Sequence, residues 1–386
     1  GLELLNKNSG RFTAEDEVLA RQTAGRLAKW VENGDAYPAG VEAEVIALRN
    51  TVGCDRGTVF VLEEGSGRLA AIHADGGDGR SISLNMKLGI AGLTAVAGRS
   101  IRIEEAWEDS RFDRSVDQRT GYRTRSMLCV PLKSASGESI GVVQAINKHA
   151  GPFSEDDLAT LEAVAGIMAI AIDNAMLFAD HERQFHSMLD VLAASIDAKD
   201  GMTAGHSTNV ALHAVAVGRE LGFSVEELDL LRVAAVLHDY GKIGISDSVL
   251  KKDGLLDDDE FAHMKSHASL TEDILTRIHF TRKYRNVPLI AASHHERLDG
   301  GGYPRGLTGR EIPFMAKILT VADVFEALTA DRHYRKKMST EDALAILDAG
   351  AGTRFDSHVI AALRRYLTVP EPLVAKPPPA ENYRSG

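Results

Sequence analysis

Between Ser154 and about Ile196, apolar residues return at spacings of three and four: Leu158, Leu161, Val164, Met168, Ile172, Met176, Leu177, Phe185, Leu189 and Leu192. That period predicts one long helix with a single apolar stripe. Such a stripe serves either as ordinary core or as the seam of a parallel dimer, and the pattern leaves both open. Upstream, the period shortens to two. Arg56–Glu63 and Leu69–Ala74 flank the turn Glu64-Gly65-Ser66-Gly67, and Ser126–Leu132 and Ser139–Asn147 flank Ser134-Ala135-Ser136-Gly137. Each reads as a β-hairpin, with helices bracketing the sheet. Downstream, 197–368 reads as helical throughout, with helix starts signalled at Ser224-Val225-Glu226-Glu227, Thr308-Gly309-Arg310-Glu311 and Ser339-Thr340-Glu341-Asp342. The Pro-rich tail 369–386 is expected to be disordered.

An internal repeat refines these divisions. Leu5-Asn6-Lys7-Asn8-Ser9-Gly10-Arg11-Phe12-Thr13-Ala14-Glu15-Asp16 echoes Ile146-Asn147-Lys148-His149-Ala150-Gly151-Pro152-Phe153-Ser154-Glu155-Asp156-Asp157, offset by 141 residues. Residues 1–35 therefore read as the tail of one domain, 38–178 as a complete second copy, 179–196 as a linker helix and 197–368 as a helical domain. Gly1 opens in the middle of the repeated pattern, so the chain is expected to be a piece of a longer one.

Composition narrows the class. The chain has 386 residues, 44% hydrophobic and 26% charged, an ordinary globular balance. A formal net charge of −11 argues against a general nucleic-acid binder, so any phosphate site must be local. The only two cysteines, Cys54 and Cys129, sit among apolar residues and read as reduced core thiols, pointing to a cytoplasmic protein. The most apolar stretch, Ala163–Ile172, lies between Glu162 and Asp173 and is too short to span a bilayer, so no membrane segment is expected.

The chemistry concentrates in His294-His295-Glu296-Arg297-Leu298-Asp299-Gly300-Gly301-Gly302-Tyr303-Pro304. Adjacent imidazoles suit a transition metal, and the glycines let backbone approach a ligand closely. The run points to metal-dependent chemistry on an anionic substrate. His238-Asp239 follows the apolar helix Leu231–Leu237, and Lys242 follows three residues later. Asp323 lies in the apolar helix Ile318–Leu328, where a carboxylate is costly unless it binds something. With His206 and His267 these residues form a candidate metal set, which takes five of the chain's fourteen histidines. Glu296 and Asp299 read as supports for His295 or for a backbone turn, the alternative being direct catalysis.

Two family resemblances follow. Residues 38–178 resemble a GAF domain. The similarity is strongest over Arg111–Pro131, where Phe112, Asp117, Thr120-Gly121, Thr124-Arg125-Ser126 and Cys129-Val130-Pro131 look like the cyclic-nucleotide-binding branch. That branch carries an Asn-Lys-Phe-Asp-Glu signature. Asn6, Lys7, Phe12, Asp16 and Glu17 match it fully; Asn147, Lys148, Phe153 and Asp157 match, with Leu158 in place of the Glu. The resemblance leaves two readings level: a domain holding a cyclic nucleotide, or a ligand-free dimerisation domain.

Asp197–Leu367 resembles the HD-GYP family of cyclic di-GMP phosphodiesterases. The similarity rests on Thr203-Ala204-Gly205-His206-Ser207, His238-Asp239-Tyr240-Gly241-Lys242-Ile243-Gly244, the His267 helix, His294-His295-Glu296 with Gly302-Tyr303-Pro304, Val321-Ala322-Asp323-Val324-Phe325 and Asp331-Arg332-His333-Tyr334-Arg335. Together the resemblances imply a multidomain fold. An α+β GAF domain, an antiparallel sheet flanked by helices, would be linked by a long helix to an all-α domain of the HD superfamily.

The second resemblance also implies roles. Two divalent transition metals, Fe or Mn, would be bound. One would be held by His206, His238, Asp239 and Asp323, the other by His267, His294 and His295, with Asp239 bridging. Asp239 and Lys242 would serve catalysis, and Gly302, Tyr303, Pro304, Arg332 and Arg335 would contact cyclic di-GMP. The product would be pGpG or, on further hydrolysis, GMP. Some family members use a Glu four residues before the first His to hold a third metal; Met202 stands there, so two metals are expected. Tyr240 stands where Ile or Leu is commoner and either packs or faces the site. A homodimer, GAF control through the helix and partner proteins docking on the Gly-Tyr-Pro segment are further expectations. The alternatives are a signalling adaptor without turnover and a hydrolase of another nucleotide, such as cyclic GMP-AMP.

Overall fold

The computed structural model describes residues 41–63, 65–74, 83–86, 88–200, 205–330 and 337–368. The repeat copy in 1–35, Met202, Arg332, Arg335 and the 369–386 tail lie outside the described residues. The chain divides into two compact units, Gly1–His181 and Glu182–Gly386.

In the first unit a six-stranded antiparallel sheet has the order β3-β2-β1-β6-β5-β4. Its strands are β1 (Cys54–Glu63), β2 (Arg68–Ala74), β3 (Ser83–Asn85), β4 (Ile101–Ile103), β5 (Met127–Lys133) and β6 (Ser139–Lys148), with helices α1 (Val41–Val52), α2 (Gly89–Ala97) and α3 (Ser115–Thr120). Both expected hairpins form, closing at Glu63 opposite Arg68 and at Lys133 opposite Ser139. The alternation sorts neighbouring residues to opposite faces. Val59, Leu128 and Val143 bury against Leu48 of α1 and against Leu161, Met168 and Ile172. Phe60, Cys129 and Val142 bury against Ile90 and Ala91 of α2. Cys54 and Cys129 are buried thiols inside these cores, and burial pushes Cys129 up to about 12, leaving it a poor nucleophile.

The repeated Asn-Lys-Phe-Asp signature has a structural role here. Asn147 sits at φ 56°. Its amide oxygen accepts from Arg125 N at 2.6 Å, and its amide nitrogen donates to Tyr122 Oη at 2.8 Å and Arg123 O at 3.0 Å. Lys148 Nζ donates to Asp157 at 2.6 Å and to Val52 O at 2.6 Å. Phe153 is buried in the core. Asp117 accepts from Trp107 Nε1 at 2.9 Å and from the Thr124 N–H and hydroxyl at 2.7 and 2.8 Å. All these groups stitch loops to the sheet.

Helix α4 (Glu155–Asp200) is 46 residues long. It begins in the first unit and ends in the second, continuing past Ile196, where the sequence pattern fades. By length and apolar composition alone it would pass as a membrane span, but Leu161, Val164, Met168 and Ile172 are buried against the sheet.

The second unit is helical: α5 (His206–Glu220), α6 (Val225–Val236), a 3-10 turn (Tyr240–Gly244), α7 (Asp247–Leu250), α8 (Asp258–Leu275), α9 (Val287–Ala292), α10 (Phe314–Thr329), α11 (Thr340–Ala349) and α12 (Ser357–Thr368). Among its described residues the only β pairing is two isolated bridges, Asp299 with Thr308 and Ala351 with Phe355. Val210, Leu231, Ala234, Leu237, Ile318, Ala322 and Phe325 form one core. Tyr240 is half-buried against that core, so it packs.

Two of the three helix starts cap as expected. Ser224 and Glu227 form a reciprocal capping box, and Ser339 accepts from Asp342 N at 3.1 Å. The third expectation is corrected. Thr308 N donates to the Glu311 carboxylate at 2.8 Å, yet 308–311 is a turn and the helix begins at Phe314. Pro313 explains this, because a residue preceding proline is disfavoured in helical geometry and Ile312 cannot propagate the turn.

Candidate metal centre

Each candidate ligand reaches the site through a local device. Helix α6 ends at Val236 and delivers His238 and Asp239 just before the 3-10 turn. The turn then presses on α8: a Cβ at Gly241 would lie 2.0 Å from His267 O and 2.5 Å from Thr271 N, so only glycine allows this approach. Thr271 fastens the contact, accepting from Gly241 N at 2.8 Å and donating to His238 O at 3.1 Å. His267 is thereby set opposite Asp239. His294 and His295 follow the short α9, and Thr320 of α10 donates to His294 O at 2.7 Å. Asp323 lies about one turn further along α10, and His206 opens α5.

The candidate ligands gather into two groups. His206, His238 and Asp323 form one; Asp239, His267, His294 and His295 form the other, with ligand atoms within 4.8 Å of one another in each. Asp239 faces both. Its Oδ2 is 3.4 Å from His238 Nε2 and 3.9 Å from His206 Nε2, while its Oδ1 is 3.4 Å from His267 Nε2 and 3.7 Å from His294 Nε2. His206 Nε2 is also 3.2 Å from Asp323 Oδ1. The arrangement is consistent with a binuclear metal site.

The imidazoles are oriented for ligation. Nδ1–H of His238, His267 and His294 donates to the carbonyls of Ala235, Met264 and Ala291 at 2.7, 2.8 and 2.6 Å. A carbonyl can only accept, so the ring hydrogen is fixed on Nδ1 and the Nε2 lone pair is free to bind a cation. Among the described residues His238 Nε2 is buried with no hydrogen-bond partner. A buried acceptor facing carboxylates and imidazoles suits a cation as its partner. Glu326 does for His206 what the carbonyls do for the others: its carboxylate accepts from His206 Nδ1.

The two groups differ electrostatically. Burial opposes a charge on His206, but its bonds to Asp323 and Glu326 outweigh this and raise it to about 10. Burial likewise opposes charge on His238, and Asp239 outweighs it, so its pKa is raised. On the other side burial prevails. It lowers His267, and together with neighbouring imidazoles it holds His294 well below its usual value and His295 at about 4. Asp239 and Asp323 are held well below the usual carboxylate range despite burial, Asp239 chiefly by Lys242 and Asp323 chiefly by His206.

Lys242 Nζ lies 2.8 Å from Asp239 Oδ2 and 3.0 Å from Asp200 Oδ2. The two carboxylates outweigh burial and raise its pKa, so it is a fixed cation beside the ligands. A cavity of about 290 Å³ opens here, lined by His206, Asp239, Lys242, His295, Tyr303 and Asp323 among others. Tyr303 stacks on His295 with centroids 4.7 Å apart. Gly302 belongs to a second, adjoining cavity, and Pro304 is half-buried beside Tyr303. Glu296 is buried and accepts from Arg305 N and Leu307 N at 2.7 and 2.8 Å, and Asp299 accepts from Gly301 N at 2.9 Å. Both hold the backbone turn. Glu326, Asp200, Thr271 and Thr320 were not singled out in the sequence. Only Glu326 carried a readable signal, lying one helical turn beyond Asp323 and so on the same face.

This fold and site define the class: a GAF domain followed by an HD domain related to the HD-GYP phosphodiesterases of cyclic di-GMP and cyclic GMP-AMP. Residues 41–172 match the GAF domain family and 189–359 the HD domain family. The chain is 42% identical over 174 residues to the 3'3'-cGAMP-specific phosphodiesterase 3 of Vibrio cholerae, covering 45% of this chain and 37% of that protein. It is 42% identical over 184 residues to the cyclic di-GMP phosphodiesterase response regulator RpfG of Xanthomonas campestris, covering 48% of each. It spans between about a third and a half of the length of these relatives. Among solved structures, the GAF domain of an Acinetobacter phosphoenolpyruvate-protein phosphotransferase is similar at 19% identity and a TM-score of 0.34, covering 42% of this chain and 98% of that one.

Proposed function

We propose that this chain is a metal-dependent phosphodiesterase that opens a cyclic dinucleotide, cyclic di-GMP in the first place, to the linear pGpG and onward to GMP. The observation that carries the reading is the position of Asp239, one oxygen facing each group of imidazoles. Three imidazoles with a carboxylate suit Fe or Mn. Two such cations, held by these imidazoles and carboxylates, would supply Lewis acidity at the phosphodiester and lower the pKa of a water there.

The chain's own groups do the rest. Asp239 holds the two halves of the site in register, and Asp323 completes the ligand set of His206 and His238. Lys242, kept charged by Asp200 and Asp239, lies in the same cavity and donates to a phosphate oxygen as charge develops. Tyr303 lines the cavity beside His295, where a bound substrate would meet its ring. Water adds to phosphorus in line with the departing 3′ oxygen. Arg332 and Arg335 remain proposed contacts to the distal phosphate.

The names of the relatives favour two substrates equally. Metal-loaded protein should therefore be assayed side by side on cyclic di-GMP and 3'3'-cGAMP with chromatographic product analysis. Faster release of pGpG supports the first reading, faster cleavage of 3'3'-cGAMP selects the second, and cleavage of neither refutes both. Control by the GAF domain and homodimerisation belong to the same proposal. Ile170, Leu177, Met188 and Val191 along α4 support the dimer, being apolar positions exposed among the described residues.

A further inference from the structure

A second cavity, of about 390 Å³, shares His295 and Tyr303 with the lining of the metal cavity. Three cations line it: Lys265 of α8, Arg297, and Arg354 before α12. Lys265 Nζ lies 4.9 Å from the Phe261 ring centroid and the Arg354 guanidinium 5.3 Å from that of Phe355. Neither forms an ion pair among the described residues. Arg297 is half satisfied: its NH2 group bonds Asp299 at 2.6 Å, while its Nε is buried with no partner among the described residues. The nearest carboxylate in the wall, Glu296, is already engaged by two backbone N–H groups.

So a chain of formal net charge −11 gathers three cations in one concave site, two of them without a carboxylate and one with an unused buried donor. Such a site attracts an anion. The exposed face of Phe261, a glycine-rich floor at Gly301 and Gly302, and planar guanidinium groups suit a flat ring as well, because aromatic and guanidinium planes both stack on nucleobases. The metal cavity is small for a whole cyclic dinucleotide, since pockets for such ligands run from roughly 300 to 1,000 Å³.

We propose that this cavity binds a purine nucleotide, with the base against Phe261 and the phosphate among Lys265, Arg297 and Arg354. The choice of a nucleotide rests on the cyclic-dinucleotide reading given above. The shared chemistry has two sources: the half of the substrate distal to the metals, or a separate mononucleotide such as the released product.

The test is photolabelling of the metal-loaded full chain with 8-azido-GMP, residue-level mapping by mass spectrometry, and kinetics of the Lys265→Glu/Arg354→Glu double variant. Both substituted side chains are at least partly exposed, and retention of fold is checked by circular dichroism. The inference expects label near Phe261 or Phe355, its loss in the double variant, and unchanged hydrolysis of bis(p-nitrophenyl) phosphate, which needs only the metals. A rise of tenfold or more in KM for the cyclic dinucleotide at near-constant kcat identifies the distal half of the substrate; lost label at unchanged KM identifies a separate nucleotide. Label confined to the metal cavity, or label at Phe261 and Phe355 that survives charge reversal, overturns the inference. If wild-type protein cleaves no cyclic dinucleotide yet is labelled in this cavity in a charge-dependent way, the proposed substrate fails and the nucleotide site stands.

Discussion

Replacing Glu326 with Gln isolates the support of a single ligand. Glu326 is buried, and its carboxylate accepts from His206 Nδ1, fixing the hydrogen there and leaving Nε2 to face Asp323 at 3.2 Å. Gln keeps the shape and an acceptor oxygen but removes the charge that makes His206 a stronger base. Loss of such an outer partner costs about 10- to 100-fold in metal affinity, or ~1.4–2.8 kcal/mol. Glu326 bonds His206, a member of the His206, His238 and Asp323 group, so the loss should fall chiefly on one ion. After dialysis at limiting metal, elemental analysis should find the bound metal reduced from two ions toward one per chain. Turnover should fall in proportion and recover with excess Mn. Retention of both ions at wild-type affinity would refute the reasoning, as would equal weakening of both.

Two further outcomes follow from the same geometry. In Gly302→Ala the new Cβ would lie 2.4 Å from Arg297 N and 2.6 Å from His295 O, backbone atoms that cannot swing aside. The loop must move, costing about 1–3 kcal/mol of stability and, through displaced His295 and Tyr303, on the order of 100-fold in turnover; a variant with native melting temperature and activity would contradict this. Metal uptake should release protons unequally near pH 7.5. His206, raised to about 10, carries a proton that a cation must displace, whereas His295 near 4 and the lowered His267 and His294 are already neutral. Affinity at the His206 side should therefore weaken as pH falls from about 10, while the other side holds until much lower pH. Titration calorimetry in buffers of different ionisation enthalpy reads this directly, and equal proton release for both ions would count against it.

The fold was legible where a residue's burden is local. Both hairpins, the long helix and two capped helix starts follow from period and turn chemistry within a dozen residues. The miss at Thr308–Glu311 arose because a capping pair forms there without a helix behind it, Pro313 deciding the matter two residues on. The candidate ligands stood out together, through His-His, His-Asp and a carboxylate in an apolar helix, and the fold gathers them into two groups. Asp200, Thr271 and Thr320 did not stand out, since a lone Thr or Asp on a helix carries no mark of the residue it will meet. Thr271 acts on a carbonyl 33 residues away and Asp200 on a lysine 42 residues away, distances that only the fold closes. Arg297 carries no mark in the sequence; its buried Nε, without a partner among the described residues, appears only once the loop is folded.

The central claim is that one carboxylate, Asp239, joins two imidazole groups into a hydrolytic centre. The most direct measurement loads wild-type and Asp239→Ala protein with Mn or Fe and records metal content and cyclic-dinucleotide products from the same samples. The account predicts two ions per chain and a linear dinucleotide from wild type, with less metal and no measurable product from the variant. Full turnover by Asp239→Ala, or a wild type that holds both ions and cleaves no cyclic dinucleotide, would contradict it.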